Sequence, residues 1–241
     1  MNSPAGGASG RVRDALLEQE GKYVVADVHA ALVLGWLAAT CQPDGLHATN
    51  RVCSIYFDTP TLELLDEKRN SDYLKRKVRV RWYAPADGSA PAEDGQAMLE
   101  AKCRIGTYRY KTRIPTPYSG AEVASMGLHD PRLAVLPEQL RHRGITLPPF
   151  LVPVFRIDYI RRRFVHEPSG RRISFDSGIE VPAVAGHLIP APPGARLATA
   201  VLEVKGSDGD LPPGLTGLAA RWVRRGAFSK YLACFEKLAR R

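Results

Sequence analysis

From Lys77 to Trp82 the chain alternates strictly, with Lys77, Arg79 and Arg81 at one set of positions and Val78, Val80 and Trp82 at the other. A repeat of two puts successive side chains on opposite faces of a β-strand, so the segment predicts a strand with one apolar face and one row of positive charge. Further strands are predicted at 22–26, 51–57, 97–104, 107–114, 153–165, 171–176 and 199–205. Asp27 suits the N-cap of a helix running to about Thr40, and a short helix follows Asp58-Thr-Pro60. Residues 119–143 read as helical with a break at Asp130-Pro131, and two short helices close the chain near 213–223 and 229–240. A tight turn at Gly106 and Glu167-Pro-Ser-Gly170 mark hairpins, while the Pro- and Gly-rich 84–96 and 181–197 read as connections. Seven or eight hairpin-linked strands with peripheral helices predict an α+β, mostly antiparallel fold built as a β-barrel.

The charged faces of these strands carry the functional clue. Glu100, Lys102 and Arg104 share one face of their strand, and Arg109, Lys111 and Arg113 share a face of the next. Arg161 and Arg163 face together, with Arg156 on the other side under strict alternation. Arg172 faces with Ser174 and Asp176, and Glu203 with Lys205. Like charges side by side repel unless something anionic lies between them. A solvated sheet face would mix in more acids and neutral polar residues. A barrel interior lined by Lys and Arg instead suits an extended anion such as a chain of phosphates. Glu20, Glu100 and Glu203 are then candidates to hold Mg²⁺ or Mn²⁺.

Composition agrees with this placement. Lys and Arg number 34 against 25 Asp and Glu, a formal charge of +9 over 241 residues. On charge alone the partner could be nucleic acid, nucleotide, polyphosphate or an acidic membrane surface. The four cysteines, 41, 53, 103 and 234, form no close pair, so they read as buried thiols rather than a zinc or redox motif. No signal-peptide pattern opens the chain, and its longest apolar run, 30–39, is about half a membrane span. The expectation is a soluble, cytoplasmic protein with a flexible start over residues 1–10 and one domain over 11–241.

A series of short motifs resembles the VTC domain, the polyphosphate polymerase domain of the vacuolar transporter chaperone complex, within the triphosphate tunnel (CYTH-like) superfamily. They are Glu20-Gly-Lys22-Tyr23, Ser54-Ile-Tyr-Phe-Asp58-Thr, Lys77-Val-Arg79-Val-Arg81-Trp-Tyr and Leu99-Glu100-Ala-Lys102. Lys111-Thr-Arg113, Arg156-Ile-Asp-Tyr159-Ile-Arg161, Arg172-Ile-Ser-Phe-Asp176, Leu202-Glu203-Val-Lys205 and Phe228-Ser-Lys230-Tyr231 follow in order. Each motif is weak by itself, and their ordered combination is specific.

The resemblance implies an eight-stranded tunnel, open at both ends, in which the ATP γ-phosphoryl group passes to a growing polyphosphate chain with a divalent metal. Carried over by motif, Lys22, Arg79, Arg81, Lys102, Lys111, Arg161 and Lys230 are expected at the reacting phosphates. Arg113, Arg156, Arg172 and Lys205 are expected as further phosphate ligands, with Glu203 as the main metal ligand. The partners implied are ATP and inorganic polyphosphate or triphosphate. Nucleic acid is not expected, because Trp82, Tyr108 and Tyr110 alternate with charge instead of forming stacking platforms. With no membrane span, export of a polymer would fall to a separate membrane partner. Glu18 stands where many relatives carry a basic residue, and an acid there leaves open a triphosphatase that hydrolyses triphosphate or a nucleoside triphosphate. A third class is a non-catalytic polyphosphate-binding module.

Overall fold

A computed structural model describes residues 19–45, 47–93, 95–206 and 208–240. The expected flexible start and Glu18 lie outside these residues. The long strands are β1 (Gln19–Ala26), β3 (Thr49–Asp58), β4 (Leu74–Ala84), β5 (Gln96–Ile105), β6 (Tyr108–Ser119), β7 (Val152–His166), β8 (Arg171–Val184) and β10 (Thr199–Gly206). Three short ones, β2 (Gln42–Pro43), β9 (Ala195–Arg196) and β11 (Val223–Arg225), add to the same sheet. Helices are α1 (Ala30–Thr40), α2 (Glu63–Arg69), α3 (Gly120–Ser125), α4 (Pro131–Ala134), α5 (Leu136–Arg141), α6 (Thr216–Ala219) and α7 (Lys230–Ala239).

Every pairing is antiparallel, in the order β11-β1-β10-β8-β7-β3-β4-β5-β6. The fold is thus α+β and mostly antiparallel, with eight long strands. The ladder is an open path, not a closed barrel. Strands near its two ends nevertheless meet through side chains, since Lys102 of β5 lies 3.4 Å from Glu20 of β1. The sheet therefore curls into a tunnel-like trough with one seam that backbone hydrogen bonds do not close.

Alternation decides which residues face the trough. Val78, Val80 and Trp82 are at most 1% exposed and pack on the convex face with Cys53, Ile55 and Leu99, under α3–α5. Burying such side chains is worth about 1.5–3 kcal/mol each. A one-residue slip of β4 would expose them and bury three cations, so the register is strongly fixed. On the other flank α1 and α6 cover the convex face of β1, β10 and β8 through Val33, Leu37 and Leu218. The four cysteines are buried free thiols.

One end of the concave face is apolar. Tyr56, Phe155, Ile157, Val181 and Val201 pack there against Tyr231, Cys234 and Leu238, the buried face of α7. Instead of being plainly open at both ends, as the resemblance implies, the trough has this region filled by the C-terminal helix.

Several bounds differ from the sequence pattern. β6 runs on through Pro115 and Pro117, which an edge strand tolerates because an unpaired N–H is not needed there. β8 extends to Val184, into a segment that reads as a connection, because the 15-residue β7 offers it a partner and β9 pairs on its other side. Asp27 lies in a 3₁₀ turn (Asp27–His29) and makes no side-chain cap. The 119–143 stretch is three short helices, each opened by its own signal at Ser119, Asp130-Pro131 or Pro137.

Candidate functional site

The alternating basic row of β4 forms one wall of a cavity of about 180 Å³ inside the trough. β5 lies beside it, with Glu100 opposite Arg79 and Lys102 opposite Lys77. β6 then sets Lys111 opposite Lys102 and Arg113 opposite Glu100. From the far side, β7 supplies Tyr159 and Arg161, β10 supplies Glu203 and Lys205, and β1 supplies Glu20 and Lys22. Gly21 holds those last two in place. A Cβ there would stand 1.7 Å from the Gly209 carbonyl oxygen, so no other residue fits between them without backbone movement.

α7 contributes from its first turn. The Ser229 hydroxyl accepts from Leu232 N at 3.4 Å as the N-cap, and also from Lys77 Nζ at 2.9 Å. Lys230 reaches Asp176 at 2.5 Å and lies 4.6 Å from the Tyr159 ring centroid. Tyr231, one position on, donates to buried Asp58 at 2.7 Å and stacks on Tyr56. The helix is thereby pinned at the residue beside its lumen cation.

The charges fall into two clusters. In the first, buried Glu100 accepts from Arg79 Nε at 2.9 Å, Arg79 Nη2 at 2.7 Å and Lys111 Nζ at 2.9 Å. Arg113 and Arg81 stand 3.6 and 3.7 Å away. Burial alone would raise the Glu100 pKa, but Arg79, Arg81 and Lys111 overcome it and hold the carboxyl well below the usual range. In the second cluster, Arg161 donates two 2.6 Å hydrogen bonds to fully buried Asp176 and a third, at 3.1 Å, to Glu203. Lys22 stands 3.2 Å from Glu203 and 3.1 Å from Glu20. Burial opposes ionisation of Glu203 too, and Lys230, Lys22 and Arg161 pull its pKa well down.

Glu20 and Glu203 share the Lys22 ammonium from adjacent strands; burial and the nearby Glu203 oppose ionisation of Glu20, but Lys22 and Lys102 hold its pKa below the ordinary carboxylate value. Glu20 and Glu203 are hard carboxylates of the kind that would hold a divalent ion, with the Lys22 ammonium lying between them here. Among the described residues no group of three or more Asp, Glu, His or Cys could form a complete protein cage for a metal. Glu100, the third expected metal ligand, is ringed by the cations of β4 and β6, as Glu203 is by Lys22, Arg161 and Lys230.

The structure brings Lys22, Arg79, Arg81, Lys102, Lys111, Arg161, Lys205 and Lys230 together with Glu20, Glu100 and Glu203 around one cavity. Arg113 is at its rim, 45% exposed. Arg172 is exposed at the end of β8, opposite Lys205 and outside the lining. Arg156 is a correction. It sits on the convex face, bonded to Asp158 through two 2.7 Å hydrogen bonds and 4.9 Å from the Trp82 ring centroid. Alternation from Arg161 puts it there, against what motif carry-over implies.

Motif carry-over also passes over Lys77 and Asp176, although the alternating rows place both on the lumen face. An outer basin of about 460 Å³ continues the cavity through Glu20, Lys22, Lys77 and Lys102. It adds Lys68, Lys75, Arg104, Arg109 and Arg225, for which only the row at 104–113 gave a sequence signal.

Comparison with known proteins agrees with the motif series. The family model of the VTC domain matches residues 17–239. A search of curated protein sequences returns no match. A solved structure from Vibrio parahaemolyticus, provisionally described as an adenylate cyclase, is similar at 15% identity and a TM-score of 0.41, covering 92% of this chain and 86% of that one. A chain of the Schizosaccharomyces pombe Mediator head module is similar at 12% identity and a TM-score of 0.42, covering 87% and 98%. Likenesses this distant carry no argument about activity.

Proposed function

The chain belongs to the VTC domain family, and on that premise we propose that it is a polyphosphate polymerase, transferring the γ-phosphoryl group of ATP to a polyphosphate chain inside the basic cavity. One observation carries this reading. Nine cations, Lys22, Lys77, Arg79, Arg81, Lys102, Lys111, Arg161, Lys205 and Lys230, converge on one lumen that holds only a few carboxylates. A field of that sign and density suits a chain of phosphates running through it.

Phosphoryl transfer asks little covalent chemistry of a protein, so catalysis rests on alignment and charge. A terminal oxygen of the acceptor chain attacks the γ-phosphorus, the bond to the β–γ bridging oxygen breaks, and ADP leaves with that electron pair. The acceptor's terminal phosphate is largely deprotonated near neutral pH, so no general base is required. Arg79 and Arg81, held by Glu100, would fix the donor phosphates, and Arg161 and Lys230, held by Asp176, would take charge developing across the lumen. Their buried counter-ions keep both pairs aligned before substrate arrives. Glu203 and Glu20 would hold Mn²⁺ or Mg²⁺, whose charge offsets that of the phosphates when bound.

Incubation with ATP and Mn²⁺, with products resolved on a gel, tests the reading. A ladder of long phosphate chains is expected. Free phosphate alone would assign the lumen to a triphosphatase instead. Binding of polyphosphate with neither product would make it a non-catalytic module.

A further inference from the structure

On the convex face, across the sheet from the lumen, Arg51, Cys53, Trp82, Arg156 and Asp158 line a second cavity of about 250 Å³. The β4–β5 connection at 88–91 and Ala124 of α3 complete it. Among the described residues, two buried side-chain nitrogens have no hydrogen-bond partner, Arg51 Nε and Trp82 Nε1. Both residues line this cavity. Buried donors are rarely left unpaired, because each then loses its bond to water and gains nothing in return.

The cations here slightly outnumber the carboxylates that face them. Arg156 is matched by Asp158, whereas Arg51, 3.3 Å from Glu180, shares that carboxylate with the exposed Arg196. The carboxylate in its lining, Asp158, is taken by Arg156, so Arg51 Nε and Trp82 Nε1 are left without an acceptor, and Ala84, Ala90, Pro91 and Ala124 give the cavity apolar walls. Burial, followed by the nearby Asp158, pushes the Cys53 thiol up to about 12, so no nucleophile is available and the chemistry is binding. A phosphate would bring two charges into a partly apolar space that already holds Asp158. A carboxylate brings one, with two oxygens that bond more strongly to a guanidinium N–H than a neutral carbonyl does.

We propose that this cavity binds the carboxylate end of a small organic acid, which accepts hydrogen bonds from Arg51 Nε and Trp82 Nε1 while its apolar body lies against the alanine and proline walls. The site is separate from the lumen and does not depend on the reaction there.

Nuclear magnetic resonance of the indole N–H groups tests it, using the full chain saturated with triphosphate so that the lumen cations are occupied. The chain has three tryptophans, so Trp82→Phe identifies the resonance. Butyrate is expected to move the Trp82 signal downfield, saturating at roughly millimolar concentration, as suits so small a ligand. The Trp36 and Trp222 signals should stay in place, and the neutral isostere butyramide should leave Trp82 unmoved. Arg51→Met should weaken butyrate about tenfold or more, and the fold should survive because Glu180 keeps Arg196 at 2.8 Å. No shift with butyrate would overturn the site. An equal shift with butyramide would overturn its assignment to carboxylates.

Discussion

Lys77 carries the lumen's electrostatics in a single side chain. It donates to Ser229 but has no carboxylate within ion-pair reach among the described residues. Burial, then the charges of Lys22, Lys68, Lys102 and Arg79, lowers its pKa from 10.5 to about 7. Between those values the unfolded chain binds more protons than the folded one, so this residue makes stability rise with pH over the window from about 7 to 10.5, with its full cost present below pH 7. Replacing Lys77 with Met should raise the melting temperature at pH 6, an advantage fading toward pH 10, and weaken triphosphate about tenfold through one lost charge-assisted contact. A lower melting temperature with unchanged affinity would refute this. Glu203→Gln should reduce Mn²⁺-dependent turnover by about 100-fold or more, given that even outer-shell changes cost 10–100-fold. Triphosphate should still bind, and unchanged turnover would remove Glu203 from the metal set. At this scale the sequence was informative wherever a residue belonged to an alternating row. It misled at Arg156, where motif membership outweighed parity, and it did not show that Glu100 is enclosed by arginines and lysines of the two strands flanking its own.

The C-terminal helix is the element that ties packing to the site. Apolar residues at 231, 234, 235 and 238 give α7 one face for the trough, and that packing sets Lys230 against Asp176 and Glu203. Tyr231→Phe removes a buried hydroxyl from Asp58, which keeps backbone donors at Thr59, Leu64 and Leu65. The loss should be about 1 kcal/mol, measured by denaturant unfolding. It should also weaken triphosphate, since Lys230 is the neighbouring residue. Weakened binding would be missing if α7 were only a lid on the core. The helix itself was legible in the sequence, as were the long strands. The short β2, β9 and β11 were not, because two- and three-residue strands exist only where a partner strand is available. The same dependence on a partner carried β6 and β8 past prolines that locally signal an end.

For the whole molecule, the net charge of +9 named only a polyanion, and topology narrowed it. Six of the long strands and α7 contribute a cation to one cavity. The apolar halves of the same strands build two convex cores and one concave one. The alternation thus specifies the fold and the lumen together. Alternation could not show that the sheet leaves a seam between β1 and β6, which depends on strand order and curl. The most direct test of the account is a crystal structure of the protein soaked with triphosphate. The phosphates should lie in the lumen against Lys77, Arg79, Arg81, Arg161 and Lys230. Triphosphate bound elsewhere, with the lumen pairs of Glu100 and Asp176 undisturbed and no phosphate between them, would contradict it.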